Sequence, residues 1–334
     1  MSRIRKSVLA ILAFAALAVP AAPAAEVKEV RIARQHGLGY LPLLVLEDQK
    51  LIERRAGEAG LGGVKVTWAV LGGGAPSNDA LLSGSVDYIS TGVTPLVLLW
   101  AKSGGKVKGV SALISTPVVV NTTNPAVKTI ADFGAKDRIA VPSVKISIQA
   151  VVLQIAAEKA FGVGNFGRLD PLTVALKHPD AAAALLSGRS EVTGHAASPP
   201  FVAQELADKR VRKVLSSYDL LGGPHTFNVL SSSQAFADAN PRTFAVVYGA
   251  LSEAIAWIQK NPKAAAETYL RVTGSKESVA SVVAQIEDPT IRYTTTPERV
   301  GVFAEFLARV GTVSARPKDW RDLFFPTVHT QPGS

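Results

Sequence analysis

Residue types that carry reaction chemistry are few in this sequence, and their spacing builds none of the common catalytic or metal-binding sites. There are no cysteines, so neither thiol chemistry nor a disulfide framework is in use. The five histidines, His36, His178, His195, His225 and His329, lack metal-ligand spacing. No phosphate loop of the Walker type, no His-Glu-x-x-His and no Gly-x-Ser-x-Gly elbow occurs. Gly162-Val163-Gly164-Asn165-Phe166-Gly167 has the glycine spacing of a dinucleotide fingerprint. It follows a helical stretch where that motif needs a strand, so it reads as a loop. No cofactor and no metal are expected, and nothing resembles an activated nucleophile with its base.

What remains is a set of small polar residues in loops between strands and helices. Helix N-termini carry free N–H groups and a partial positive charge, so they bind anions without a catalytic residue. Ser and Thr hydroxyls add donors there. The candidate binding residues are His36, Gly39 and Tyr40 in one loop and Gly73, Gly74 and Ser77 in the next. Thr91, Gly92 and Thr94 follow, then Ser143, Lys145 and Ser147, and finally His195. Glycines let the backbone approach a ligand closely. Tyr40 offers a ring face and a hydroxyl, Lys145 a full charge, and His195 a donor to an oxyanion.

The elements that position these loops occur in two similar sets. Ala80-Leu81-Leu82-Ser83-Gly84 runs into Asp87-Tyr88-Ile89-Ser90-Thr91-Gly92, and Ala184-Leu185-Leu186-Ser187-Gly188 runs into Glu191-Val192-Thr193-Gly194-His195. Each reads as a helix end with a Gly cap, an acidic residue, a short strand and a polar tip. Upstream, Val30 to Ala33 leads into the first Gly-containing loop, and Arg138 to Val141 leads into Pro142 to Ser147. A helix is expected after each, over Leu43 to Arg55 and over Ile148 to Phe161. Ser77 or Asn78 is expected to cap a helix continuing through Leu82. Two α/β lobes follow from this order, with ligands expected at the carboxyl ends of the strands. Lobe I is expected to comprise residues 25–117 and 222–334, and lobe II residues 118–221. Gly222-Gly223-Pro224-His225 marks the expected return hinge.

A length of 334 residues suits roughly two domains, and 47% hydrophobic against 19% charged residues suits a folded core. Arg3, Arg5 and Lys6, the apolar run Val8 to Val19 and Ala22-Pro23-Ala24 read as a secretory signal over residues 1–24. The formal charge of +9 drops by these three cations to +6. The remaining basic residues are scattered without aromatic interleaving, which argues against nucleic-acid binding.

With the loops placed, the chain resembles the periplasmic solute-binding proteins of ABC transporters, and within them the nitrate/sulfonate/taurine branch. The stretches that carry the resemblance are Gly39 to Leu43, Ala80 to Thr94, Thr129 to Phe133 and Arg138 to Gln149. It runs from about Val27 to about Pro326. It implies an α/β, two-lobe venus-flytrap fold of type II, with the second lobe inserted in the first and hinge closure around one small molecule. It also implies that Tyr40, Gly73, Ser77, Thr91, Thr94, Ser143 and Ser147 lie on cleft-lining loops. The chain departs from the pattern at Gly194-His195-Ala196, where many sulfonate binders have an aromatic-acidic pair, and at His36.

The expected function is capture of a small anionic or zwitterionic solute in the periplasm, as a soluble monomer, for delivery to an ABC permease and its ATPase. The alternatives are a thiamine-pyrimidine-precursor binder or synthase-like enzyme on the same fold, and a receptor-coupled sensor.

Overall fold

The computed structural model describes residues 26–334; the signal expected over residues 1–24 lies outside them. Eleven strands occur in the described residues. They are β1 (Glu29–Arg34), β2 (Lys65–Val70), β3 (Tyr88–Gly92), β4 (Val107–Ser115), β5 (Val119–Thr122) and β6 (Ile139–Val141). The rest are β7 (Thr173–Ala175), β8 (Gly194–Ala197), β9 (Arg212–Ser216), β10 (Thr226–Ser233) and β11 (Arg292–Tyr293).

They form two sheets, ordered β11-β4-β10-β3-β1-β2 and β7-β6-β8-β5-β9. In each sheet three strands run parallel, β2-β1-β3 in one and β7-β6-β8 in the other. An antiparallel strand then lies against the trio, β10 in the first sheet and β5 in the second. The chain leaves the first sheet after β4, builds the whole second sheet, and returns as β10. The second lobe is therefore inserted in the first.

The repeated Ala-Leu-Leu-Ser-Gly stretches do end helices, Gly74–Leu82 and His178–Ser187, and each helix precedes the third strand of its parallel trio. Gly84 and Gly188, at φ 71° and 62°, make the turn that a side chain would strain. The strands do not match residue for residue. Thr193 is held by Arg138, whose backbone N–H donates to its Oγ1 at 3.2 Å, so β8 begins only at Gly194. His195 consequently stands inside the strand.

The helix expected over Leu43 to Arg55 is two helices, Leu41–Gln49 and Leu51–Glu58. Lys50 breaks it in a left-handed conformation, φ 49°, and this re-aims the second helix so that Leu51, Ile52 and Ala56 are buried. The helix Gly74–Leu82 starts earlier than a Ser77 or Asn78 cap would place it. Gly73 is its N-cap, and Ser77 Oγ instead donates back to the Gly73 carbonyl at 2.8 Å.

The two crossings between lobes run side by side. Val118 N donates to Ser217 Oγ at 2.8 Å, and Ser217 N donates to the Val118 carbonyl at 2.8 Å. Ser217 Oγ also lies 2.8 Å from His225 Nε2, while His225 Nδ1 donates to the Thr226 carbonyl at 3.0 Å. The ring is fully buried with an edge-on contact to Phe303. Burial pushes the pKa of His225 down from 6.5 to about 4.

The sign of the resulting pH dependence follows from proton counts. Between about pH 6.5 and about pH 4 the unfolded chain binds a proton at His225 that the folded chain does not. Stability is therefore fully present above about pH 6.5 and declines as the pH falls towards about 4, by up to about 3 kcal/mol from this ring. Burial depresses His178 in the same sense. Urea denaturation across this range is expected to show the decline, and His225→Asn should flatten it; an unchanged slope in the variant would reject the assignment.

Candidate functional site

In this structure the lobes are shut against each other at the carboxyl ends of the parallel strands. Ala75 N donates to Ser143 Oγ at 3.3 Å, Thr94 Oγ1 donates to the Ile146 carbonyl at 2.7 Å, and Leu38 N donates to the Pro199 carbonyl at 3.0 Å. Farther out, Gln204 Nε2 donates to Glu277 Oε1 at 2.9 Å, and Arg309 Nη1 donates to Glu158 Oε1 at 2.9 Å. Phe166 meets Phe306 edge to face.

Two glycines make the contact possible. A Cβ on Gly73 would stand 2.5 Å from both the Pro142 carbonyl oxygen and Ser143 Oγ of the other lobe. A Cβ on Gly92 would stand 2.9 Å from Ile148 Cγ2.

Inside this seam lies a small enclosed pocket. Lobe I supplies Gln35, Tyr40, Gly74, Gly92, Pro95, Phe227 and Asn228; lobe II supplies Pro142, Ser147, Ile148 and Gln149. It leaves about 10 Å³ for the centre of a water-sized sphere, or room for about one water. A solute of several heavy atoms therefore needs the lobes set wider apart. Larger hollows of about 450 Å³ and 580 Å³ are more open to solvent, and neither gathers helix N-termini from both lobes as this pocket does.

Four helices begin at the pocket. Tyr40 is the N-cap of Leu41–Gln49, Gly74 opens Gly74–Leu82, Gly92 is the N-cap of Val93–Lys102, and Ser147 is the N-cap of Ile148–Phe161. Each helix start presents orphan N–H groups and roughly half a positive charge. No charged side chain lines the pocket.

The polar side chains around it are Gln35, Tyr40, Asn228, Ser147 and Gln149. Asn228 Nδ2 donates to the Gly39 carbonyl at 3.2 Å, while its Oδ1 is buried with no hydrogen-bond partner among the described residues. Ser147 Oγ donates to the Ser143 carbonyl at 2.9 Å and accepts from Ala150 N at 3.3 Å. Burial pushes the Tyr40 phenol far up, partly opposed by Asn228, so it stays a neutral hydroxyl.

The residues singled out from the sequence divide by place. Tyr40, Gly74, Gly92 and Ser147 line the pocket. Gly39, Gly73, Thr94 and Ser143 form contacts around it. Ser77 is turned into its own helix, and Thr91 Oγ1 donates to the Gly92 carbonyl at 3.2 Å inside lobe I. His36 is half-buried near Arg34, Lys177 and Asp180, and burial lowers its pKa. Lys145 is exposed, at φ 62°, with its charge acting on Asp170. His195 is fully buried, bonded to Glu205 and His178, and does not line the pocket.

Gln35, Asn228 and Gln149 were not among the sequence candidates. Gln149 carries a local sign, a polar residue in an otherwise apolar first turn, just after the Ser147 N-cap. Asn228 carries none, because β10 reaches the pocket only by returning from the other lobe.

Among the described residues no group of three or more His, Asp or Glu side chains is arranged to hold a metal, and no helix is long and apolar enough to cross a membrane.

This architecture, two α/β lobes shut over a pocket of helix N-termini, is the periplasmic-binding-protein fold. Solved structures share it over nearly the whole chain. The alkanesulfonate-binding protein SsuA from Xanthomonas axonopodis pv. citri, bound to MOPS, matches with TM-score 0.70 at 22% identity, covering 91% of this chain and 99% of that one. The periplasmic aliphatic sulphonate-binding protein SsuA from Escherichia coli matches with TM-score 0.66 at 20% identity, covering 92% and 96%. The periplasmic nitrate-binding protein NrtA from Synechocystis PCC 6803 matches with TM-score 0.67 at 13% identity, covering 87% and 84%. No family model matches the chain, and no curated protein does.

Because Gly73 meets the other lobe and not its own core, Gly73→Ala should separate closure from folding. It is expected to leave the unfolding midpoint nearly unchanged and to raise the radius of gyration in small-angle scattering. Scattering identical to that of the unsubstituted protein would show that this contact does not limit closure.

Proposed function

We propose that this chain is the periplasmic solute-binding component of an ABC importer and that it captures a small anionic or zwitterionic solute, of the sulfonate, taurine or nitrate kind, by hinge closure. The observation that carries the reading is the convergence of four helix N-termini from both lobes on one pocket without a formal charge. Such a site offers net positive potential through backbone groups. It holds an oxyanion by hydrogen bonds and leaves it unreacted.

Closure follows from division of the polar groups and helix N-termini between the lobes. Tyr40 and Asn228 stand on lobe I, and Ser147 and Gln149 on lobe II, so only the nearly shut state lets one ligand touch both sets. The loaded form is delivered, as a monomer, to a permease powered by its ATPase. The similar proteins named above are described as binding proteins, and that supports transport over turnover. The pyrimidine-precursor binder and the enzyme reading draw support from no particular contact.

Thermal-shift screening against taurine, methanesulfonate, longer alkanesulfonates and nitrate, followed by calorimetry, tests the proposal. At least one of these anions is expected to bind. Asn228→Ala or Ser147→Ala should each weaken it tenfold or more, on the order of 1.4 kcal/mol. Failure of the whole panel would refute the ligand class, and unchanged affinity in both variants would refute the placement.

A further inference from the structure

Behind the lobe II wall of the pocket runs a chain of buried hydrogen bonds that a cleft of helix ends and hydroxyls does not require. Gln149 lines the pocket, and its Nε2 lies 3.0 Å from His178 Nε2. His178 Nδ1 lies 2.8 Å from His195 Nε2. His195 Nδ1 lies 2.5 Å from Glu205 Oε1. Asn121 Nδ2 donates to Glu205 Oε2 at 2.8 Å, and Ser198 Oγ lies 3.3 Å from His178 Nε2. His195 and Glu205 are 0% exposed, and Gln149 is 3% exposed. Four separate elements bring the chain together: the helices Ile148–Phe161, His178–Ser187 and Phe201–Leu206, and β8.

Counting protons fixes the direction of every bond. With Glu205 ionised, its Oε1 takes a donor, which is His195 Nδ1–H. If both rings are neutral, His195 Nε2 accepts from His178 Nδ1–H, and His178 Nε2 accepts from the Gln149 amide group. All donors then point towards Glu205, the chain carries one net negative charge, and Gln149 Oε1 is the atom without a partner. This is the orientation of Gln149 in the structure.

One proton added at His195 gives an imidazolium paired with Glu205. His195 Nε2 must then donate, so His178 accepts at Nδ1 and donates from Nε2. Two groups lie within reach of that Nε2–H, Ser198 Oγ at 3.3 Å and the nearer Gln149 amide at 3.0 Å. Gln149, turned to accept through Oε1, takes the bond and leaves its NH₂ for the pocket. The wall changes from an acceptor above a net negative charge to a donor above a neutral pair.

We propose that this chain is a proton relay that reverses on uptake of one proton at His195, and that it thereby couples binding of an anion in the cleft to protonation. The second half rests on the anion reading given above; the reversal itself does not. An anion in the pocket meets an unfavourable field from the unprotonated relay and a favourable donor from the protonated one, so the two occupants favour each other, and reciprocally.

His178 conducts the reversal without holding the charge: burial, the His195 charge and His36 all keep its ring neutral. His36 approaches from the loop after β1, itself beside Arg34, Lys177 and Asp180. Glu205 and Asn121 are the groups that face His195 and its carboxylate partner from the other elements.

Long-range proton–nitrogen correlation spectra of the imidazoles, recorded on the ligand-free protein between about pH 8 and about pH 5, test the reversal. His178 is expected to change from the Nδ1–H to the Nε2–H tautomer with the same midpoint at which His195 gains its proton. A single His178 tautomer throughout, or two unrelated midpoints, would overturn the proposal.

Calorimetry with taurine, methanesulfonate and nitrate in buffers of different ionisation enthalpy tests the coupling. Uptake of about one proton per bound anion is expected, with affinity falling about tenfold per pH unit above the midpoint. Glu205→Gln should abolish the uptake. Tight anion binding without proton uptake by the unsubstituted protein would refute the coupling. No binding by any of the three anions, with the tautomer change present, would refute the anion reading and leave the reversal standing.

Discussion

The shut cleft depends on backbone meeting backbone across the gap between the lobes. Pro142 and Ser143 come within van der Waals reach of Gly73, and Leu38 N–H reaches the Pro199 carbonyl. Such contacts bury main-chain polar groups, and each one buried without a partner costs a sizeable part of a domain's stability. A seam built this way is specific. It tolerates a side chain at few positions, and it offers its remaining donors only to something placed between the lobes. Because the pocket has room for about one water, the lobes close further than a solute would allow. A solute of several heavy atoms held there, as proposed, would change the closure angle. In a fold whose two crossings are tied by the Val118–Ser217 bonds beside a buried His225, that change turns about a narrow strip.

The electrostatics of the cleft come from its frame. Lys and Arg side chains stay outside, and the positive potential arises from four helix starts held in place by their own hydrophobic faces. The helix Ile148–Phe161 shows how closely support and site are joined. Val151, Val152 and Leu153 are buried in the core that continues through both lobes, while Ser147 and Gln149 at its start reach the pocket. A helix fixed by that burial keeps its N–H groups aimed without a side-chain entropy cost at the moment of binding. The carboxyl of Glu205 sits behind the wall and is separated from the pocket by two imidazoles and an amide.

The frame was legible in the sequence because it follows from local rules. Gly84 and Gly188 end helices, and alternation and apolar periodicity mark strands and helices whose neighbours in sequence are neighbours in space. The two lobes were visible in the repeated order of elements, and the insertion of one in the other followed from the family resemblance and the expected return at Gly222 to His225. The pocket was only half legible. Tyr40, Gly74, Gly92 and Ser147 stand at helix starts, where short-range signals point. Asn228 and Gln35 depend on pairings between distant strands, β10 with β3 and β1 with β3, that no window of sequence reveals. His195 shows the limit of reading by repeat. The motif matches that of the first lobe, but the Thr193–Arg138 and Thr193–Asp137 bonds delay the strand and carry the ring from the tip into the interior.

The two acidic positions that begin the repeated strands make the same point from the other side. In lobe I, Asp87 accepts from the Arg31 backbone and guanidinium, at 2.8 Å and 2.6 Å, and so binds β3 to β1. In lobe II the corresponding Glu191 is exposed, and the tie is made by Asp137, which accepts from Gly134 N, Asn124 Nδ2 and Thr193 Oγ1 at 2.8–2.9 Å. Both lobes thus anchor the middle of the parallel trio with one hydrogen-bonded carboxylate, though the residue comes from different places in the repeat. In the register of the sheets, His195 lies opposite Ala140 where lobe I sets Ile89 opposite Ala33, so the third strand of lobe II buries a histidine where lobe I has a side chain with no proton to pass. The asymmetry puts the two bonded histidines behind the pocket into lobe II, the half that contributes the fewer pocket residues.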